Sequence, residues 1–410
     1  MDLTPDEKRA KELAEDLSKF DVEGRAKARA GELAKENRPV YDYPDATDLE
    51  HFRLLKQATL DNTTPPGPKK LIEAYKGVGY AEHEEQFYVK LPGHGKAYEN
   101  CGESLAKGCD NHKHHADGKT FVRLGKRSCN RKECPVCYEG WASKGAERAT
   151  IRIAHYLVGP SKVRGALDRI CKEYQVHPPK VLHKAVVDEL EDLIQGGTEK
   201  PIHVVLSPPQ ENLEPWAQIG IYRSMKAKAV RLAKLAGLRG SSIIPHPYRL
   251  RCKACKAKIP DYHRECPECG GSEFEWMFSP HFHYLGFGWI LGPQKIEVFY
   301  KAHGWVVKNL GVRDTVYGTF QYILSHAGVG PGFHTVSWFG SLGYRAERMR
   351  EVPKLKAPKE KCPECGAYLS LLEWIGAVDR GPPPTYCEEL ARLNAYANDL
   401  SDDPENWRRR

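Results

Sequence analysis

From residue 202 onward, apolar and polar positions switch repeatedly between a two-residue and a helical period. Ile202-His203-Val204-Val205-Leu206 is a short apolar run closed by Pro208-Pro209 and reads as a buried strand. Residues 215–236 follow helical spacing, with Met225, Ala229, Leu232 and Ala236 on one face. The aromatic-rich stretch Glu273 to Gly288 predicts a strand. A helix from Pro293 to about His303, a short strand at Trp305-Val306-Val307 and a helix from Asp314 to His326 follow, the last stopped by Gly328. Upstream, Ser143 to Leu157 predicts a helix, and a helix-rich region continues to Gln195. Residues 1 to about 37 form a charged, Ala-rich helical stretch. It opens on Thr4-Pro5-Asp6-Glu7, with Thr as N-cap, Pro at the first position and Glu closing a capping box. Pro65-Pro66-Gly67-Pro68 reads as a linker, and the polar, Arg-rich end of the chain is expected to be loose.

Composition sharpens this outline. At 410 residues the chain exceeds one compact core and should hold two or more domains. No apolar run reaches the length of a membrane span. Met1-Asp2-Leu3-Thr4 has neither a basic nor an apolar leader region, so a cytoplasmic protein is expected. A net charge of +8 permits a nucleic-acid partner without demanding one. Thirteen cysteines, an odd number set largely in Cys-x-x-Cys pairs, point to zinc rather than to disulfides.

Cys252-x2-Cys255 and Cys266-x2-Cys269, ten residues apart, have the spacing of a zinc ribbon, and Gly270-Gly271 supplies a flexible turn. Such a ribbon serves as a structural staple or as a DNA-contacting finger. Cys129-x4-Cys134-x2-Cys137 supplies three more ligands, with Cys101, Cys109, His112 or His114 open as the fourth. Cys362-x2-Cys365 with Cys387 makes a weaker third group, and Cys171 reads as a core residue.

His281-Phe282-His283 carries more weight. Chance supplies roughly 0.7 such triplets in a chain with this many histidines, and His112-Lys113-His114 is a second instance, so the triplet alone decides nothing. Its strand context does. Residues i and i+2 project from one face, so both imidazoles point to one side while Phe282 and Tyr284 pack the other. A rigid histidine pair of this kind suits a metal. Tyr317, Tyr322 and His326 share the helix predicted downstream, and Tyr322 and His326 lie four apart on one face. A phenol attacks only where its phenolate is stabilised, and a metal makes phosphorus more electrophilic. The basic stretch with Arg223, Lys226, Lys228, Arg231 and Lys234 is either a DNA-backbone contact or a solvated helix face.

Taken in order, three segments resemble the motifs of the HUH endonuclease superfamily, and within it the rolling-circle replication initiators of small plasmids and viruses. Ile202 to Ser207 resembles the first motif, Pro280 to Leu285 the metal-binding second, and Val316 to His326 the nucleophile helix, with Tyr322 the match to its tyrosine. Cys101 to Leu105 and Ser128 to Cys137 resemble the cysteine region that precedes the first motif, which favours Cys101 as the fourth ligand of that group. The resemblance covers roughly residues 100–345. It departs at Ser325, where relatives often carry a lysine, and Tyr317 stands about 140° round the helix from Tyr322, an awkward angle for a paired nucleophile.

The resemblance implies an α+β fold, an HUH-type antiparallel sheet with packed helices, plus zinc-binding modules and a helical N-terminal extension. The expected organisation is an extension over 1–97, a zinc module over 98–142, a nuclease domain over 143–350 with a zinc ribbon inserted at 250–271, and a tail over 351–410. It further implies Mg²⁺ or Mn²⁺ on His281 and His283, with His326 as third ligand or as the stand-in for the missing lysine. Tyr322 would attack single-stranded or origin DNA to give a 5′-phosphotyrosine and a free 3′-OH, with a host helicase or polymerase as a further partner. Three alternatives stand beside this: a transposase or relaxase using the same chemistry, a zinc-ribbon nucleic-acid-binding regulator with structural histidines, and an RNA-binding protein.

Overall fold

The computed structural model describes residues 78–81, 89–109, 111, 118–209, 219–259, 265–313, 315–330, 334–375 and 399–409. The N-terminal helix, the Pro65–Pro68 linker, His112, His114 and Cys387 lie outside the described residues.

The fold is α+β, with two antiparallel sheets and six α-helices among the described residues. In chain order these are β1 (Ser104–Gly108), β2 (Thr120–Lys126), α1 (Tyr138–Val158), α2 (Pro160–Glu173), α3 (Pro179–Gln195), β3 (Ile202–Ser207), α4 (Ile219–Leu235), β4 (Leu238–Cys252), β5 (Phe274–Gly288), α5 (Pro293–His303), β6 (Val306–Val312), α6 (Val316–Ser325), β7 (Ser337–Gly340), β8 (Ser370–Trp374), β9 (Asp399–Asp402) and β10 (Trp407–Arg409). The larger sheet runs β6-β3-β5-β4-β7, and the smaller runs β10-β8-β1-β2-β9.

Alternation along β5 divides the larger core in two. Phe282 and Tyr284 face α4 and α5, joining Val204, Leu206, Tyr222, Met225, Ala229 and Leu232. Leu285 and Phe287 belong to the cluster formed with α1, α2, α3 and α6. Helices therefore cover both faces, and β5 is buried along nearly its whole length. Burying each of these large side chains contributes roughly 1.5–3 kcal/mol.

β4 is the strand that hydrophobic patterning misses. Its sequence holds Pro245 and Pro247, which lack the N–H a ladder needs. The structure accommodates both because β7 pairs only with Gly240–Ile243 of β4, and the register against β5 shifts between His246 and Tyr248. Beyond the bulge, β4 and β5 run on to Cys252 and Phe274, so the cysteine ribbon sits at the tip of this long hairpin.

Three other expectations need correction. The last segment of the chain pairs rather than hangs loose: β8 joins β1, β9 joins β2 and β10 joins β8. Where the expected 1–97 extension is described it is tied to the sheet: Gly79 and Ala81 bond the backbone of Trp276, and the Tyr248 hydroxyl donates to the Val89 carbonyl. Finally, α6 ends at Ser325 without a glycine C-cap. The Gly328 N–H donates instead to the Pro245 carbonyl, and a Cβ there would stand 2.8 Å from Val89 Cγ1, so close packing explains that glycine.

Candidate metal centre and nucleophile helix

Bulge, hairpin and helix converge on one group of buried histidines. His246 on β4 lies opposite His281 on β5 in the ladder. With His283 they form a set whose potential ligand nitrogens all lie within 4.8 Å of one another. Sequence patterning found His281 and His283 but missed His246, hidden between two prolines. Its signal in the sequence is the Pro-His-Pro triplet beside Ile243-Ile244.

Hydrogen bonds orient the rings. His281 Nδ1 is 2.9 Å from the Ser279 carbonyl, and because a carbonyl only accepts, Nδ1 donates and Nε2 keeps its lone pair. His246 Nε2 donates to the Ile323 carbonyl at 2.8 Å, which leaves its Nδ1 as the ligand atom. His283 Nδ1 is 2.8 Å from His203 Nε2, and Arg313 donates to His203 Nδ1 at 3.1 Å. This chain puts a proton on His203 Nε2, directed at His283. For a cation to be taken at His283 Nε2, the ring proton would have to move to Nδ1, which would then donate to His203 Nε2.

Electrostatics keep the rings neutral. Burial holds His203, His246, His281 and His283 well below the ordinary imidazole range, with nearby Arg249 adding to the effect on His281 and His283, and Arg313 on His203. Neutral imidazoles are metal ligands, and two guanidiniums beside them suit an anionic oxygen. Arg249 is itself held by Ser207 Oγ at 2.9 Å, on the strand of the first motif.

Tyr322 lies on α6, whose Val316, Phe320, Ile323 and Leu324 are buried against α1 and the sheet. Close approach to α1 depends on Gly145, where a Cβ would stand 2.7 Å from Leu324 Cδ1. The first turn of α6 is capped from outside: Glu191 on α3 accepts from the N–H groups of Val316 at 3.1 Å and Tyr317 at 2.6 Å. The last turn is held by His246 through the Ile323 carbonyl, one residue after Tyr322. Helix α6 is thus bonded directly to a side chain of the histidine group.

His326 is the C-cap residue, so it does not continue the helix face. Its ring lies 5.2 Å from the Tyr322 ring and 6.3 Å from that of His246, centroid to centroid. It stands between tyrosine and histidines but outside the three-histidine set. Tyr317 points elsewhere, its hydroxyl 2.6 Å from Ser143 Oγ on α1 and 3.0 Å from His183 Nε2 on α3.

The basic residues of α4 are not brought to this site. α4 packs on the Phe282 face, opposite the histidines. Arg223, Lys228, Arg231 and Lys234 are exposed there. Lys226 is half-buried, bonds the His334 carbonyl and Ser337 Oγ, and is lowered by burial to about 8.

Two four-cysteine clusters match the sequence expectation. Cys252, Cys255, Cys266 and Cys269 come together, as do Cys101, Cys129, Cys134 and Cys137, each set within 4.8 Å. A zinc ion with bonds of about 2.3 Å in tetrahedral geometry places its sulfurs about 3.8 Å apart. Cys252–Cys269 at 3.6 Å and Cys255–Cys266 at 3.4 Å suit it; in the upstream set Cys101–Cys134 at 3.7 Å suits it, while Cys101–Cys137 at 3.0 Å is shorter than a bound ion would set. Of the four candidates left open for the upstream group, Cys101 is in place and Cys109 is not. No described helix is long and apolar enough to cross a membrane.

A scan of protein-family models and searches of curated proteins and of solved structures returned no match for this chain.

Proposed function

We propose that the protein is an HUH-type endonuclease and strand transferase that initiates rolling-circle replication by nicking single-stranded or extruded origin DNA. The observation that carries this reading is the hydrogen bond from His246 to the Ile323 carbonyl, which couples a buried three-histidine group to the helix bearing Tyr322. A structural histidine cluster needs no tyrosine helix capped from two sides beside it.

His246, His281 and His283 would hold Mg²⁺ or Mn²⁺, which supplies Lewis-acid polarisation of a non-bridging phosphate oxygen. Arg249 and Arg313 flank the group and would offset charge developing on the phosphoryl oxygens. Tyr322 attacks phosphorus in line: its phenol oxygen forms the new P–O bond while the bond to the 3′-oxygen breaks. His326 takes the phenol proton, and the departing 3′-oxygen takes up a proton from solvent to become the hydroxyl that primes synthesis. Rejoining reverses these steps at the same tyrosine, because Tyr317 is committed to Ser143 and His183. Zinc in the two four-cysteine clusters is structural, and the exposed α4 cations, on the face opposite the histidines, form a solvated helix face. A cytoplasmic setting and a host helicase or polymerase fit this role. A transposase or relaxase would use the same site, and the choice of DNA cleaved separates these from an initiator.

The test uses purified wild-type, Tyr322→Phe and His283→Ala proteins with Mn²⁺ and labelled single-stranded oligonucleotides tiled across the DNA flanking the gene. Denaturing gels should show a covalent adduct with wild type alone. An adduct persisting in Tyr322→Phe would move the nucleophile. Tight binding with no adduct on any strand would favour a zinc-ribbon regulator.

A further inference from the structure

Cys362 and Cys365 find a different third partner from the one their sequence neighbourhood suggests. Cys109, the residue after β1, places its Sγ 3.7 Å from that of Cys365, and all three sulfurs lie within 4.8 Å of one another. Cys109 and Cys362 are buried, while Cys365 is exposed.

The turn at Cys362 is the same turn that builds the ribbon. In the ribbon, the Cys252 N–H donates to the Ala257 carbonyl at 2.9 Å and the Lys256 N–H returns to Cys252 at 3.0 Å. Cys266 repeats this with Gly271 at 2.7 Å and Gly270 at 2.8 Å. Cys362 repeats it again, with Ala367 at 2.8 Å and Gly366 at 2.9 Å. The residue after the second cysteine is left-handed each time, at φ 63° for Lys256, 71° for Gly270 and 71° for Gly366. Lys256 tolerates a conformation that favours glycine, so the turn is held by more than local preference. The Ala367 N–H also points at Cys365 Sγ, at 3.4 Å, the hydrogen bond that stabilises a thiolate.

We propose that Cys109, Cys362 and Cys365 bind a third zinc ion, which staples strand β8 onto β1. The fold places it where a staple acts. β1 ends one residue before Cys109, β8 begins five residues after Cys365, and Gly108 pairs with Ser370 in the ladder between them. The same junction is held by Glu360, which pairs with Lys107 and, at 3.3 Å, with buried Arg123. Three thiolates supply three of the four positions zinc takes. With this site, eleven of the thirteen cysteines have a metal-binding role.

Zinc released from wild-type protein by an organomercurial, which breaks only thiolate bonds, should amount to three ions per chain and fall to two in Cys365→Ser. Two ions in wild type, or no change in Cys365→Ser, overturns the proposal. Misfolding of the variant is separated by footprinting the unsubstituted protein with iodoacetamide. Cys365 should resist alkylation with zinc bound and react at least about tenfold faster after chelation. Alkylation of the zinc-loaded protein at the rate of the denatured chain overturns the proposal, as does a disulfide between any two of the three. Cobalt substitution should add the charge-transfer intensity of three thiolates beyond the two four-cysteine clusters, and no such addition counts against the site.

Discussion

Among the described residues five antiparallel strands make each sheet, but the two are packed differently. The larger sheet is sandwiched between helices, with Phe282, Tyr284, Leu285 and Phe287 fully buried on its central strand. Among the described residues the smaller one gathers Ala106, Val122, Leu124, Leu372 and Trp407, with Trp374 beside them, a smaller apolar cluster than either one on the larger sheet. Cysteine groups stand at both ends of β1, Cys101 before it and Cys109 after it. The histidine group, by contrast, lies in the larger sheet, where packing on both faces already holds the backbone.

The contrast breaks most sharply on removing zinc. Apparent binding energies of about 10 kcal/mol or more for structural zinc exceed what the small sheet can supply, so strong chelation should unfold it. Hydrogen exchange should then rise in β1, β2 and β8 and at the ribbon ends of β4 and β5, and stay slow in the helix-covered parts of β4 and β5; uniform exchange in both sheets would refute the division. The larger sheet should instead yield to cavities. Phe282→Ala is expected to cost about 3–5 kcal/mol in denaturant unfolding. Chemistry separates the two tyrosines of α6. Tyr322→Phe should reduce adduct formation at least about a thousandfold, and Tyr317→Phe less than about tenfold.

Acid should also act on the larger sheet first. His203, His246, His281 and His283 are depressed in the folded state, whereas the unfolded chain binds protons near the ordinary value of 6.5. The unfolded state therefore holds more protons below that value, and stability falls as pH drops through 6.5 toward the folded values. The expected slope is up to about 1.4 kcal/mol per pH unit for each group, and Mn²⁺ should oppose it. A flat thermal-denaturation profile between pH 7 and 5 would remove the buried neutral histidines from the account. The smallest effect is expected on α4: Arg231→Ala should change DNA affinity by less than about 0.5 kcal/mol, and Arg249→Ala by more. The reverse order would place DNA on the opposite face of the sheet.

Strong periodicity made much of this legible. The strand at Ile202, the aromatic strand through His281 and His283, and the helices α1 and α4 follow directly from where apolar residues recur. The ribbon was equally plain, because its four ligands are close in the chain. β4 was not, since two prolines argue against a strand and only the bulge and the short reach of β7 make room for them. His246 was lost with it.

What the sequence determined by itself were the local elements, the paired histidines on one strand face, and the cysteine pairs, all features whose partners stand a few residues apart. Tertiary structure decided the rest. It chose His246 over His326 for the histidine set, turned Tyr317 and Tyr322 to different neighbours, and sent Cys109 to Cys362 and Cys365 rather than to the nearer Cys101 group. It also folded the tail into the small sheet. Each of these depends on contacts between residues far apart in the chain. Such pairings are settled by ladder register, packing and ligand geometry across the whole fold, and local spacing carries no record of them.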